Sequence, residues 1–119
     1  MKREKSGVSG VWSPELVREF VTVGRVADIS PGQARQVTVD DRWIGLFNVD
    51  GEFHAVDNLC LHRGGPLCEG HVRSGIVTCP WHGWQYDVRS GVLVQDPVVG
   101  VTKHETRISG DHVQVRLTD

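Results

Sequence analysis

The sequence predicts an all-β fold, an antiparallel sandwich or barrel of short strands, and three observations favour it. First, 14 Gly and 5 Pro in 119 residues are typical of a chain with many turns and no long helices. Second, short runs rich in β-branched residues recur from Phe20 onward and partly alternate apolar with polar side chains. Third, turn-forming pairs separate these runs about every ten residues.

The clearest runs and the turns between them define the predicted strands. The strands are expected at Phe20–Val26, Arg35–Val39, Trp43–Val49, Phe53–Val56, Val92–Val94, Val101–Ile108 and His112–Leu117. The turns are expected at Asp40-Asp41, Asp50-Gly51, Ser90-Gly91 and Gly110-Asp111. An Asp-Gly pair tolerates the positive φ that a tight hairpin demands. Consecutive strands joined in this way form an antiparallel sheet.

The length and composition predict one domain after a short tail. The 119 residues, 39% of them hydrophobic, suit a single compact core. Residues 1–19 are expected to form a partly flexible N-terminal tail, because the first ten are polar and include Gly and Ser. Residues 20–119 are then the single folded domain.

Charge, hydropathy and cysteine count argue against several classes of partner and location. A formal net charge of −2 supplies no field that would gather nucleic acid. No stretch reaches membrane-spanning length, and residues 6–13 lack the apolar core of a secretory signal. Three cysteines cannot form an even disulfide framework, which favours a reducing compartment. We therefore expect a cytoplasmic protein that binds neither nucleic acid nor membranes.

Two segments that combine Cys, His, Gly and Pro interrupt the strand pattern, at residues 60–67 and 79–84. The first supplies Cys60 and His62, and the second supplies Cys79 and His82. In a tight turn that contains Gly, side chains two or three residues apart can converge on a metal. A [2Fe–2S] core takes four protein ligands, two on each iron, so these four residues match its needs.

Zinc is the main alternative for these ligands, because two Cys and two His also make a closed tetrahedral zinc site. Classical zinc fingers place both Cys before both His, whereas here each loop carries one of each. That alternation favours an iron–sulfur centre. The third cysteine, Cys68, has no partner residue at ligand spacing, and we interpret it as a small buried or surface side chain.

The motif C-x-H-x-G at residues 60–64, followed by C-P-x-H-G at residues 79–83, resembles the Rieske family of iron–sulfur proteins. The resemblance is sharpest over about residues 57–88, which would form a small cluster-binding subdomain of two loops. It implies one Rieske-type [2Fe–2S] cluster on a Rieske-like sandwich or barrel. Cys60 and Cys79 would hold the inner iron, and His62 and His82 the outer iron near solvent.

Departures from the high-potential branch of the family point to a lower reduction potential. That branch has one more Cys in each loop, joined as a disulfide, at positions matched here by Gly65 and Trp81. Its Ser that donates to a bridging sulfide is matched by Trp84, whereas its Tyr is matched by Tyr86. Fewer hydrogen bonds to sulfur stabilise the reduced cluster less, so we expect a potential below about 0 mV.

Within the family, the chain is most similar to the soluble ferredoxin component of bacterial Rieske oxygenase systems. The resemblance implies an electron carrier, not itself an enzyme, with a flavoprotein reductase and a terminal oxygenase as its protein partners. The alternative is the small Rieske-like subunit of an assimilatory nitrite reductase. The Rieske domain of a terminal oxygenase would need a separate mononuclear iron site, which neither the length nor the His spacing provides. A purely structural metal module is the remaining alternative.

Overall fold

The strands follow most of the runs predicted from the sequence. The computed structural model describes residues 18–62, 64–81 and 83–118, so residues 1–17 of the predicted tail lie outside the described residues. The strands are β1 Val21–Arg25, β2 Ala34–Val39, β3 Arg42–Val49, β4 Glu52–Asp57, β5 His71–Arg73, β6 Ile76–Thr78, β7 Gln85–Asp87, β8 Lys103–Ser109 and β9 His112–Arg116. Two short 3-10 turns lie at Val26–Asp28 and Leu67–Glu69. No helix in these ranges is long and apolar enough to cross a membrane.

A large antiparallel sheet forms the body of the domain. Its six strands lie in the order β1-β9-β8-β4-β3-β2. The two edge strands, β1 and β2, approach each other, so the sheet is nearly closed into a barrel. The predicted Asp turns join its hairpins: Asp40 and Asp41 both have positive φ, and Asp50 is followed by Gly51 at φ 94°. The all-β, barrel-like fold expected from the sequence is confirmed.

Strand β3 separates two hydrophobic cores. Ile44 and Leu46 point into the core enclosed by the large sheet, whereas Phe47 and Val49 point into a second core on its other face. Successive side chains of a strand point to opposite faces, so a strand covered on both sides reads as a continuous apolar run. All six residues from Ile44 to Val49 are buried, and five of them are apolar, with Asn48 as the exception.

A second, three-stranded sheet covers the outer core and carries the two Cys-His loops. Its strands lie in the order β5-β6-β7, with every neighbour antiparallel. We did not predict these strands, each of which has three residues. The predicted strand Val92–Val94 is wrong: Val92 and Leu93 make isolated bridges, to Gly100 and Tyr86, and no ladder.

The buried His104 of β8 forms hydrogen bonds both to Asp57, just before the first loop, and to Thr118. Its Nδ1 accepts the backbone N–H of Thr118 at 2.9 Å, so the ring proton lies on Nε2 and is donated to Asp57 at 2.7 Å. Arg42 donates to the same Asp57 oxygen at 3.1 Å and to the Thr118 carbonyl at 3.2 Å. Burial lowers the pKa of His104, although Asp57 opposes this effect, and Arg42 and Arg18 reinforce it. The histidine is therefore neutral in the folded protein.

A neutral buried histidine makes the free energy of unfolding depend on pH. Because the folded pKa of His104 lies below its usual value, the unfolded chain binds the extra proton as the pH falls below about 6.5. We expect stability to be greatest above that pH and to decline below it, by at most about 1.4 kcal/mol per pH unit for this proton. Urea unfolding between pH 5 and pH 8 measures the slope, and H104Q should flatten it. An equal slope in H104Q would contradict this assignment.

Candidate metal centre

The two Cys-His loops are built on the same backbone frame. In the first, the Cys60 N–H donates to the Gly65 carbonyl at 2.9 Å and the Gly64 N–H to the Cys60 carbonyl at 2.8 Å. In the second, the Cys79 N–H donates to the Trp84 carbonyl at 2.7 Å and the Gly83 N–H to the Cys79 carbonyl at 3.2 Å. Each loop thus closes through the same two bonds, counted from its cysteine.

A glycine four residues after each cysteine allows this frame. Gly64 has φ 75° and Gly83 has φ 80°, a region that other residues adopt only with strain. The motifs C-L-H-R-G and C-P-W-H-G therefore encode the turn as well as the candidate ligands.

The frame brings the two cysteine thiols together. Cys60 and Cys79 are 3% and 2% exposed, and both belong to the core beneath the small sheet. The two thiols are close enough for Cys60 to raise the pKa of Cys79, and neither forms a disulfide. The loops thus place a pair of buried, facing sulfur atoms between them.

Two donors point at this sulfur pair. The Leu61 N–H donates to the Tyr86 hydroxyl oxygen at 2.9 Å, which leaves the hydroxyl hydrogen for Cys60 Sγ at 3.3 Å. Burial raises the pKa of Tyr86, so this hydroxyl stays protonated. The Trp81 N–H lies 3.4 Å from Cys79 Sγ. Each of the two sulfurs therefore has one polar group at hydrogen-bonding distance.

Gly65 and Trp81, which the family resemblance matches to a disulfide in its high-potential branch, lie close together across the two loops. A Cβ at Gly65 would lie 3.1 Å from Trp81 Cγ and only 2.8 Å from Cys79 Sγ. The absence of a side chain at Gly65 is thus what lets the first loop close over the second cysteine. The Trp81 indole, 48% exposed, covers this position from the solvent side.

His62 contacts the second loop through an aromatic stack. Its ring lies parallel to that of Trp84, with centroids 4.6 Å apart and an interplanar angle of 11°. The structure therefore brings Cys60, Cys79 and the two loops together, with His62 beside Trp84. The fourth predicted ligand, His82, lies outside the described residues. Among the residues that are described, no three Cys, His, Asp or Glu side chains converge as they would around a single metal ion.

Asn58 is a site residue that we did not predict. It is fully buried two residues before Cys60, and its Nδ2 donates to Gln36 at 2.7 Å and to Cys68 Sγ at 3.2 Å. Its Oδ1 accepts the Cys68 N–H at 2.7 Å. Asn58 thereby fixes the start of the first loop to β2 and to the 3-10 turn Leu67–Glu69. A single Asn before a loop has no spacing pattern that would single it out in the sequence.

The sulfur pair fits an iron–sulfur centre better than two free thiols. Burial raises the pKa of the Cys79 thiol, the Trp81 amide lowers it, and the neighbouring Cys60 raises it again. Two adjacent buried thiolates are costly unless a cation compensates their charge, and metal binding supplies that charge as the protons leave. A dry sulfur pair with two donors directed at it is what two iron-bound thiolates require.

Comparison with known proteins identifies related chains of the same size and larger ones. The model of the Rieske [2Fe-2S] domain family matches residues 19–105. The biphenyl dioxygenase ferredoxin subunit of Pseudomonas sp. (strain KKS102) is 36% identical over 98 residues, which are 81% of this chain and 90% of that protein. Apoptosis-inducing factor 3 of Mus musculus is 35% identical over 98 residues, 82% of this chain but only 16% of that longer protein.

Solved structures share the same fold. The complex of reduced oxygenase and oxidised ferredoxin in carbazole 1,9a-dioxygenase contains a similar chain, with a TM-score of 0.75 and 26% identity over 82% of this chain and 92% of that one. A Mycobacterium tuberculosis protein described as a small subunit of an NADH-dependent nitrite reductase has a TM-score of 0.78 and 25% identity, over 87% of this chain and 98% of that one.

Proposed function

The chain belongs to the Rieske [2Fe–2S] family, and on that premise we propose that it is a ferredoxin that carries single electrons from a reductase to a terminal oxygenase. Its cofactor is one Rieske-type [2Fe–2S] cluster. The observation that carries the proposal is the pair of buried cysteines, Cys60 and Cys79, that share one core beneath two loops of the family's spacing.

We assign the cluster ligands as Cys60 and Cys79 on one iron and His62 and His82 on the other. When bound, such a cluster accepts and releases one electron at a time, at a potential raised by its two neutral imidazole ligands. The buried cysteines anchor it to the core, and Tyr86 and the Trp81 amide offset the charge on their sulfurs. Leu61, next to His62 in the first loop, is 51% exposed, so this loop presents an apolar side chain to a partner.

The proposed partners are a flavoprotein reductase as electron donor and a terminal oxygenase as electron acceptor, in the cytoplasm. The similarity to a ferredoxin chain solved together with its oxygenase supports the second partner. We expect a potential toward the lower end of the Rieske range, below about 0 mV, because Gly65, Trp81 and Trp84 stand at the positions matched to the disulfide and the sulfide donor of the high-potential branch.

A role as the small subunit of a nitrite reductase is the second candidate, because a structure of that description shares the fold over nearly the whole chain. The relatives named as ferredoxin components favour the carrier instead. The two candidates differ in the acceptor, so an electron-transfer assay separates them.

Spectroscopy and electron transfer together test the proposed function. Protein reconstituted anaerobically should contain about two irons and two sulfides per chain, and after reduction it should give a rhombic EPR signal with a mean g below that of all-Cys clusters. The reduced protein should then be reoxidised by a Rieske-type terminal oxygenase with its substrate present. Colourless, iron-free protein would refute the cluster assignment. A normal EPR signal, with transfer to a nitrite reductase and none to an oxygenase, would instead favour the second candidate.

A further inference from the structure

The stack between His62 and Trp84 joins a proposed iron ligand of one loop to an aromatic side chain of the other. The 4.6 Å centroid distance and 11° interplanar angle place the rings face to face. Parallel contact of this kind is a specific geometry with an energy beyond that of simple burial. The ring of His62 therefore has a neighbour that favours one orientation of its plane.

Contacts of its backbone, its side chain and the next residue fix the position of Trp84. Its carbonyl accepts the Cys79 N–H at 2.7 Å, which fixes its backbone to the second loop. Its side chain packs against the core that contains both cysteines. The next residue, Gln85, donates its backbone N–H to Gln95 Oε1 at 3.1 Å and its side-chain amide to Thr78 Oγ1 at 3.3 Å. The indole is thus a fixed surface on which the imidazole lies.

We infer that Trp84 is a positioning residue for His62, which sets the plane of that imidazole at the cluster and shields one of its faces from water. The inference rests on the proposed function, since it takes His62 as a ligand. A His ring turns easily about the bond to its Cβ, because that torsion has broad minima. The Trp84 indole, which lies parallel to the His62 ring and belongs to the other loop, restricts this rotation.

The position of Trp84 gives this inference its specific consequence. The stack joins Trp84 to His62, so a change at Trp84 should alter the His62 imidazole. Removing the indole also admits water to one face of His62, and water stabilises the reduced cluster, which carries one more negative charge than the oxidised one. We therefore expect the potential to rise and the EPR signal to broaden when the stack is lost.

Two substitutions at Trp84 and one elsewhere test the inference. W84F keeps a flat ring against His62, whereas W84L keeps an apolar side chain without one. W43L is the matched control, since the Trp43 indole is 55% exposed on β3 and belongs to neither loop. The readouts are the midpoint potential at fixed pH, the g values and linewidth of the reduced protein, and the nitrogen couplings of the two imidazoles by pulsed EPR.

The expected result is that W84L raises the potential, broadens the signal and changes one set of imidazole nitrogen couplings, whereas W84F and W43L match the wild type. Loss of the cluster in W84L alone, with the sheet intact by circular dichroism, would also support the inference. Wild-type spectra and potential in W84L would overturn it, and so would equal changes or cluster loss in W84F. Absence of a Rieske signal from the wild type would instead refute the proposed function.

Discussion

Replacing Cys79 by serine is expected to abolish the cluster. The Cys79 sulfur is buried, faces Cys60 and accepts the Trp81 N–H, so no other described thiol is placed to take over its role. A serine hydroxyl is a harder and much less acidic ligand than a thiol, and iron–sulfur centres are held by thiolates. Iron content should fall from about two per chain to near zero after reconstitution, with loss of the EPR signal.

Cys68 provides a matched control for this experiment. It is the third free cysteine, and its sulfur accepts the Asn58 side-chain amide at 3.2 Å, an interaction that a serine oxygen can also make. Burial raises the pKa of the Cys68 thiol, so it is not a ready thiolate. C68S should keep the wild-type iron content and signal. A full Rieske signal in C79S, or loss of the cluster in C68S with C79S unaffected, would refute the assigned ligands.

The candidate ligands could be predicted from the sequence because their geometry is local. A cysteine followed four residues later by a positive-φ glycine closes each loop, and both features lie within one short motif. The spacing of Cys60, His62, Cys79 and His82 therefore needed no knowledge of the rest of the chain. The placement of His82 remains a prediction.

Contacts that cross between distant segments could not be predicted in the same way. Asn58 is bound by Gln36 and Cys68, which lie 22 and 10 residues away in the sequence. The stack between Trp84 and His62 exists only because the two loops meet. The periodicity of a sequence can indicate a strand, but it does not show which residues cover that strand. The three strands of the small sheet were also not predicted.

The close approach of the two loops explains why Gly65 is needed between them. Gly65 is not in the left-handed region of φ, so its backbone would accept alanine without strain. The constraint is space: its Cβ would lie 2.8 Å from Cys79 Sγ and 3.1 Å from Trp81 Cγ. The sulfur is confined by the core and by its position opposite Cys60, so it has little room to yield.

We therefore expect G65A to destabilise the protein by about 1–3 kcal/mol, the usual cost of forcing a methyl group into a packed interior, and to displace the Cys79 sulfur. The displaced ligand should shorten the lifetime of the cluster in air and shift its g values. Chemical denaturation, iron release over time and EPR measure these effects. G24A is the control, because a Cβ at Gly24 would lie 4.0 Å from its nearest neighbour, an Asp28 carboxylate oxygen. If G65A matched G24A in stability, iron release and g values, the loops would be able to separate at little cost, and the close contact between Gly65 and Cys79 would not constrain the centre.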